Sequence, residues 1–256
     1  MTTLKLAAKL KFAALGTVLA AGLGYWTWLH MGPTAGLADR DDPTLGYFPL
    51  TVGRSWTYQV ETDMTDSDID PEITLSVDRK VELDGKATWV RRSIQGAEYY
   101  IQRDAKSVYR VASRTDVEEQ ATLDNSPRTI LKMPLKPGTQ WDGGFTAPFL
   151  LRRTSEFPNN LVHSHKALMS FSVVAVNETV EVPYGTFKGC IQVKGEASLR
   201  LYTSPVTGFT DVPLITHEWY CPNVGLVKFD REERVAGGGA FMTGGKVSYQ
   251  LTDMTE

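Results

Sequence analysis

At 256 residues the chain is long enough for one large domain or two small ones, and its 27 basic and 30 acidic side chains leave a formal charge of −3. Lysine and arginine are scattered and form no stripe, which argues against a nucleic-acid partner. Apolar residues, 42% of the total, suffice for a packed core, whereas two cysteines are too few for a disulfide scaffold or a zinc cluster.

In chain order, the first expected element is a membrane segment. Lys5, Lys9 and Lys11 precede residues 12–29, a stretch without charge whose far end carries Tyr25, Trp26 and Trp28. Its length suits a spanning helix of about 17–25 residues better than a secretory core of roughly 7–15. The aromatic side chains fit a membrane–water interface, and the lysines on the near side place residues 1–11 in the cytoplasm. A cleaved signal peptide, with Gly36-Leu37-Ala38 as its processing site, is the competing reading. Residues 30–46, with Gly32-Pro33 and Asp42-Pro43, read as a linker off the membrane, and residues 47–256 as an exported domain.

That domain reads as a succession of strands. It opens on Pro49-Leu50-Thr51-Val52-Gly53-Arg54-Ser55-Trp56, and the pattern returns as Pro134-Leu135-Lys136-Pro137-Gly138-Thr139-Gln140-Trp141. The echo suggests two related halves, 47–128 and 129–256. Ile73, Leu75, Val77, Val81 and Leu83 alternate as in a half-buried strand, and Asp84-Gly85 is the turn of a two-residue hairpin leading into a strand through Trp89. Shorter strands are expected at 99–102, 108–112, 129–133 and 149–152. A long one, 167–179, carries apolar residues at both parities and reads as buried on both faces, hence central. Others follow at 187–194, 197–202, 214–221, 225–235 and 246–253. No window after residue 29 carries a helical apolar period. The expected class is all-β beyond one N-terminal helix: a large curved antiparallel sheet or half-open barrel, with a two-sheet sandwich as the alternative.

Three motifs lie in order along this region: Tyr47-Phe-Pro-Leu-x-x-Gly-x-x-Trp-x-Tyr58, Val182-Pro-Tyr-Gly-Thr-Phe-Lys-Gly-Cys190 and Trp219-Tyr-Cys-Pro-Asn-Val-Gly-Leu-Val-Lys228. Together they resemble a group of bacterial secreted or lipid-anchored envelope β-proteins, mostly without assigned function. At fold level that group is similar to the Lol-type half-barrel carriers, which move lipoproteins or lipids through the periplasm. With the anchor, the resemblance implies a single-pass protein of the bacterial inner membrane whose C-terminal domain is periplasmic. The chain departs from lipid-anchored members in having no lipobox cysteine.

Cys190 and Cys221 are candidates for a disulfide, since exported chains oxidise. Alternation argues against the pairing. Cys190 shares parity with Gln192 and Lys194, and Cys221 with Ile215 and Trp219, so the two meet only if Cys190 faces the core or a bulge shifts the register. Two buried free thiols are the alternative.

Candidate chemistry is sparse. Asp66-x-Asp68-x-Asp70-x-Glu72 mimics the start of a calcium loop, but Pro71 stands where glycine is required and Val77 where the bidentate glutamate belongs. His163 and His165 find no third ligand, and neither a metal nor another cofactor is expected. The run Gly237-Gly238-Gly239 follows no strand-to-helix pattern. No Gly-x-Ser-x-Gly or His-Glu-x-x-His is present, and Glu232 and Glu233, being adjacent, point to opposite faces of a strand. The domain is therefore expected to bind rather than catalyse. An apolar ligand, a lipid or the acyl part of a lipoprotein, is the expected partner, with Trp56, Tyr58, Trp89, Trp141, Trp219 and His217 as candidate wall residues. Core packing is the competing role for the tryptophans. The alternative function is an accessory structural subunit of an inner-membrane protein complex.

Overall fold

The computed structural model describes residues 46–64, 69–153, 165–235 and 242–255. The expected spanning helix at 12–29, nearly all of the linker, Asp66, Asp68, His163 and the glycine run at 237–239 lie outside the described residues. Among the described residues no helix is long and apolar enough to cross a membrane.

The strands are β1 (Ser55–Thr62), β2 (Glu72–Leu83), β3 (Lys86–Ser93), β4 (Glu98–Arg103), β5 (Ser107–Arg114), β6 (Thr122–Lys132) and β7 (Gln140–Thr146). They continue as β8 (Arg152–Arg153), β9 (Ala167–Val182), β10 (Gly185–Ser204), β11 (Gly208–Cys221), β12 (Gly225–Glu233), β13 (Met242–Thr243) and β14 (Gly245–Thr255). Twelve of them form one sheet in the order β6-β5-β4-β3-β2-β1-β14-β12-β11-β10-β9-β7, and β8 and β13 pair separately. The order is two meanders side by side, joined where β1 pairs antiparallel with β14. A single sheet must still bury one face. It does so by curling until its edges β6 and β7 meet, rather than by stacking into the alternative sandwich. Register shifts in most of the strand pairs, such as those at Thr57/Tyr58 and Val77/Arg79, supply the bends that curling requires.

At the β6–β7 seam side chains replace the backbone ladder. The Trp141 indole donates to the Thr129 carbonyl (3.2 Å), and Arg128 donates to the Phe145 carbonyl (2.7 Å). The result is a nearly closed antiparallel barrel.

Both copies of the Pro-Leu-x-x-Gly-x-x-Trp pattern build the same local structure. Gly53 (φ 93°) donates to the Val77 carbonyl at 2.8 Å, and Val77 donates back to Arg54 at 2.8 Å. Gly138 (φ 88°) donates to Val173 at 2.9 Å, and Val173 donates back to Thr139 at 3.0 Å. Each glycine thus turns the chain into the first strand of a meander and pins it to the second. Trp56 and Trp141 both follow as the second residue of that strand, both buried. Their indoles reach across: Trp56 donates to the Val224 carbonyl between β11 and β12 (2.7 Å), and Trp141 to Thr129 on β6.

Two chain segments fill the barrel's ends. At one, Phe48 and Leu50 are buried, Tyr47 donates to the Gly189 carbonyl (2.9 Å), and Asn223 donates to Gly46 (2.5 Å). At the other, residues 149–151, expected as strand, are held by the fully buried Glu233 carboxylate. It accepts from the backbone amides of Phe149, Leu150 and Leu151 at 2.8–3.2 Å and pairs with Arg231. Only Arg152–Arg153 (β8) are strand there, because a backbone donating three amides to one carboxylate has none left for a ladder.

Two further expectations are corrected, and the candidate disulfide is borne out. The strand at 167–179 is not central: β9 lies beside the edge strand β7 and alternates, with Met169 and Val173 buried and Leu168 and Val174 exposed. Residues 187–202 form one strand, because Gly195 is a contact point rather than a break. A Cβ there would stand 2.6 Å from the Phe171 ring. Cys190 and Cys221 are joined as a disulfide, Cα atoms 4.1 Å apart. β10 and β11 pair Ile191 with Tyr220, Gln192 with Trp219 and Lys194 with His217. The two alternation sets that argued against pairing therefore occupy one face, since opposite residues of antiparallel strands lie side by side.

Alanine at Gly53 or Gly138, where nothing crowds the new methyl group, should cost about 1–2 kcal/mol in chemical denaturation, through backbone strain alone. Reducing the disulfide, which spans a sequence separation of 31, should lower stability by roughly 3–4 kcal/mol.

Candidate functional site

Inward-facing residues of both meanders line a partly open cavity of about 320 Å³. Its apolar wall is Phe48 from the end segment, Leu75 on β2, Ile101 on β4, Ile130 on β6, Phe171 on β9 and Leu226 on β12. Phe171 can lie there because glycines flank it: a Cβ on Gly143 would fall 2.2 Å from its ring, and one on Gly195 2.6 Å. The ring also stacks on Trp141, centroids 5.9 Å apart.

Polar groups enter from two sides. On β3, Arg91 stands opposite Tyr99 and Val77. Its guanidinium lies 4.9 Å from the Phe48 ring centroid and 4.8 Å from that of Trp56. Burial pulls its pKa down from the ordinary guanidinium value, opposed by Tyr58, Tyr220 and Tyr99 around it. The Tyr58 phenol accepts from Arg91, donates to the Leu226 carbonyl (2.9 Å), and is pushed up to about 12 by burial. On β11, Glu218 and Tyr220 face the same space. The Tyr220 hydroxyl donates to Glu218 Oε2 (2.5 Å), yet burial outweighs that support and pushes the Glu218 carboxyl up to about 7. Arg110 and Arg128 complete the wall, both paired with Asp124 at 2.9 and 3.0 Å.

The six residues picked from sequence sit around this cavity rather than in its wall. Trp56 and Tyr58 are core residues, anchored on carbonyls of Val224 and Leu226, and they support Arg91 from behind. Trp89 packs between Lys80 and Arg103, 4.7 and 5.0 Å from its ring centroid. Trp141 backs Phe171 at the seam. His217 and Trp219 alternate with Glu218 and Tyr220 and so face outward: His217 contacts Gln192 (3.2 Å) and Lys228 covers Trp219 (5.0 Å). Sequence reasoning missed Arg91, Glu218 and Tyr220. The one available signal was a lone carboxylate at the parity of Leu214 and Tyr220.

A second hollow, about 520 Å³, lies by Leu83, Asp104, Tyr109 and Asp124. Its two inner carboxylates are already engaged, Asp104 by the amides of Lys106 and Ser107 and Asp124 by its two arginines. Among the described residues no three His, Cys, Asp or Glu side chains gather to hold a metal ion.

No family model matches the chain, and no curated protein matches it. Two solved structures are similar to the chain at a low level. One is a Bacteroides fragilis protein provisionally described as exported, with a YmcC-like fold: 17% identity, TM-score 0.41, 82% of this chain and 99% of that one aligned. The other is a Parabacteroides distasonis protein provisionally described as a lipoprotein: 16% identity, TM-score 0.41, 82% and 98% aligned.

Folding raises the Glu218 carboxyl from its ordinary 4.5 to about 7. The folded state therefore binds the extra proton, and stability is highest below the ordinary value and falls as pH rises through about 7. Glu218→Gln should flatten that decline, which amounts to roughly 3 kcal/mol for the wild type, in denaturation curves recorded between about pH 5 and about pH 8.

Proposed function

We propose that residues 47–256 form a non-catalytic binding domain, held on a membrane anchor in the periplasm, that takes a small apolar ligand inside its barrel. The observation that carries this reading is the cavity of about 320 Å³ with six apolar side chains in its wall and a few convergent polar groups. Small-molecule sites have this composition, and the volume lies at the lower end of their range of roughly 300–1,000 Å³. One short chain fits; a whole diacyl lipid does not, so a lipid or lipoprotein would engage through a single acyl segment. The Cys190–Cys221 disulfide supports an oxidising compartment. The same reading takes the two meanders as related halves, their junction at residue 133 rather than 128/129, since β6 continues through Lys132.

The second reading, an accessory structural subunit of an inner-membrane complex, draws on the β10–β11 tip. There Tyr202, Val206 and Phe209 are exposed, Val206 to 93%. Such a tip is a protein-contact surface rather than a cavity.

Native mass spectrometry of the full-length protein, released gently from its own membrane, separates the two. A stoichiometric small-molecule adduct that disappears in the cavity-filling variant Ile101→Trp is the expected result. A bare chain accompanied only by co-purifying proteins would overturn the binding reading in favour of the subunit.

A further inference from the structure

We infer that the ligand is a monocarboxylic acid with a short apolar tail, its carboxylate held by Arg91 and its chain lying against Phe171. The inference rests on the cavity being a ligand site and adds the class of head group.

The argument starts from how arginines are treated in this barrel. Arg110 and Arg128 share Asp124, Arg231 pairs with Glu233, and Arg79 and Arg114 share Glu98. Arg91 lines the cavity, yet among the described residues it makes no ion pair, and its Nε is buried with no protein acceptor. Arg91 as a whole is half-buried, but a guanidinium drawn even partly out of water without a counter-charge is costly, and here the surroundings hold it rather than neutralise it. Rings of Phe48 and Trp56 lie against it at 4.9 and 4.8 Å, and Tyr58 takes one N–H. Trp56 and Tyr58 are themselves fixed on the Val224 and Leu226 carbonyls. The fork is therefore fixed in orientation, with donor capacity left over, and a fixed guanidinium fork matches a carboxylate with two parallel hydrogen bonds.

Charge selects among anions. Glu218 lines the same cavity, joined to Tyr220 and not to Arg91. A dianionic phosphate would set two negative charges against that carboxyl. A monocarboxylate brings one, which Arg91 neutralises. Burial raises the Glu218 carboxyl to about 7, so below that pH it stands protonated beside a monoanion without repulsion.

Volume sets the tail. The cavity is about 320 Å³, and at about 30 Å³ for each water-sized group it takes roughly ten non-hydrogen atoms. An eight-carbon acid fits. Leu75, Ile101, Ile130 and Phe171 give that chain no hydrogen-bonding partner, as an alkyl tail requires.

The test is titration of the full chain in lipid nanodiscs with octanoate, octan-1-ol and octyl phosphate, against empty nanodiscs. Saturable binding of octanoate at one per chain, with the alcohol and the phosphate each at least about tenfold weaker, is the expected result. Arg91→Met, which keeps an unbranched apolar stem over the two rings, should weaken octanoate by about thirtyfold or more and leave octan-1-ol unchanged. Equal binding of acid and alcohol by the wild type overturns the head-group assignment and leaves the apolar cavity standing. Octyl phosphate binding as well as or better than octanoate overturns the choice of carboxylate. Failure of all three to bind overturns the ligand-site reading itself. Because the wild-type comparison decides among the head groups, a misfolded Arg91→Met would not rescue the assignment.

Discussion

A carboxylate removed from water inside a protein must be matched, and the fully buried Glu233 is matched by both charge and backbone. Arg231 neutralises it, and three successive backbone amides donate to it. Its position on β12 fixes where residues 149–151 must lie. Leu150 then packs with Val60 and Val247, and Leu151 with Met169, Leu199 and Met242. Those contacts fill one end of the barrel, as Phe48 and Leu50 fill the other. What lies between is shielded on both sides, and shielding is what makes burial the dominant influence on Glu218, Arg91 and Tyr58. Removing one partner from such a site leaves a buried charge or unmet amides, the most damaging kind of loss a core can suffer.

The two tryptophans of the repeated pattern serve the same end from the opposite direction. A strand that starts at a positive-φ glycine and is pinned to the next strand through a valine has its second side chain committed inward. Both indoles spend their one N–H on a carbonyl of the other meander, at Val224 and at Thr129. They are fasteners between halves of the sheet, and this is why they stand behind the cavity's wall instead of forming it. The apolar surface offered to a ligand comes from smaller residues, together with Phe171, which its flanking glycines make room for.

Much of the architecture was legible in the sequence. The hairpin at Asp84-Gly85 forms as its residues dictate, both with positive φ, and the repeated pattern marked the start of each meander. Closure into one curled sheet was legible only as one of two options, because alternation tells that a face is buried and not what buries it. The site was barely legible. β11 carries large side chains at both parities, Ile215 and Trp219 against Leu214 and Tyr220, so nothing local says which set points inward. A slip of one residue exchanges the sets, and choosing the one with the histidine and the tryptophan hid Glu218. Glu233 was hidden differently, inside Asp230-Arg231-Glu232-Glu233-Arg234, a run that reads as solvated surface. The parity objection to the disulfide failed because faces were compared within each strand while the register between strands was unknown.

The pairing of β1 with β14 has a consequence for the order in which the molecule can be made. Ser55 meets Thr255 across that ladder, their hydroxyls 2.6 Å apart, from positions 200 residues distant in sequence. At ordinary translation rates of about 5–20 residues per second, β1 is complete roughly ten to forty seconds before its second partner leaves the ribosome. Throughout that interval one edge of the first meander has hydrogen-bonding groups and no strand to receive them, the condition in which sheets find wrong partners. The barrel therefore does not grow shorter when β14 is missing; it opens between β1 and β12 into two half-sheets with exposed edges, joined across the β6–β7 seam and by the Trp56 indole.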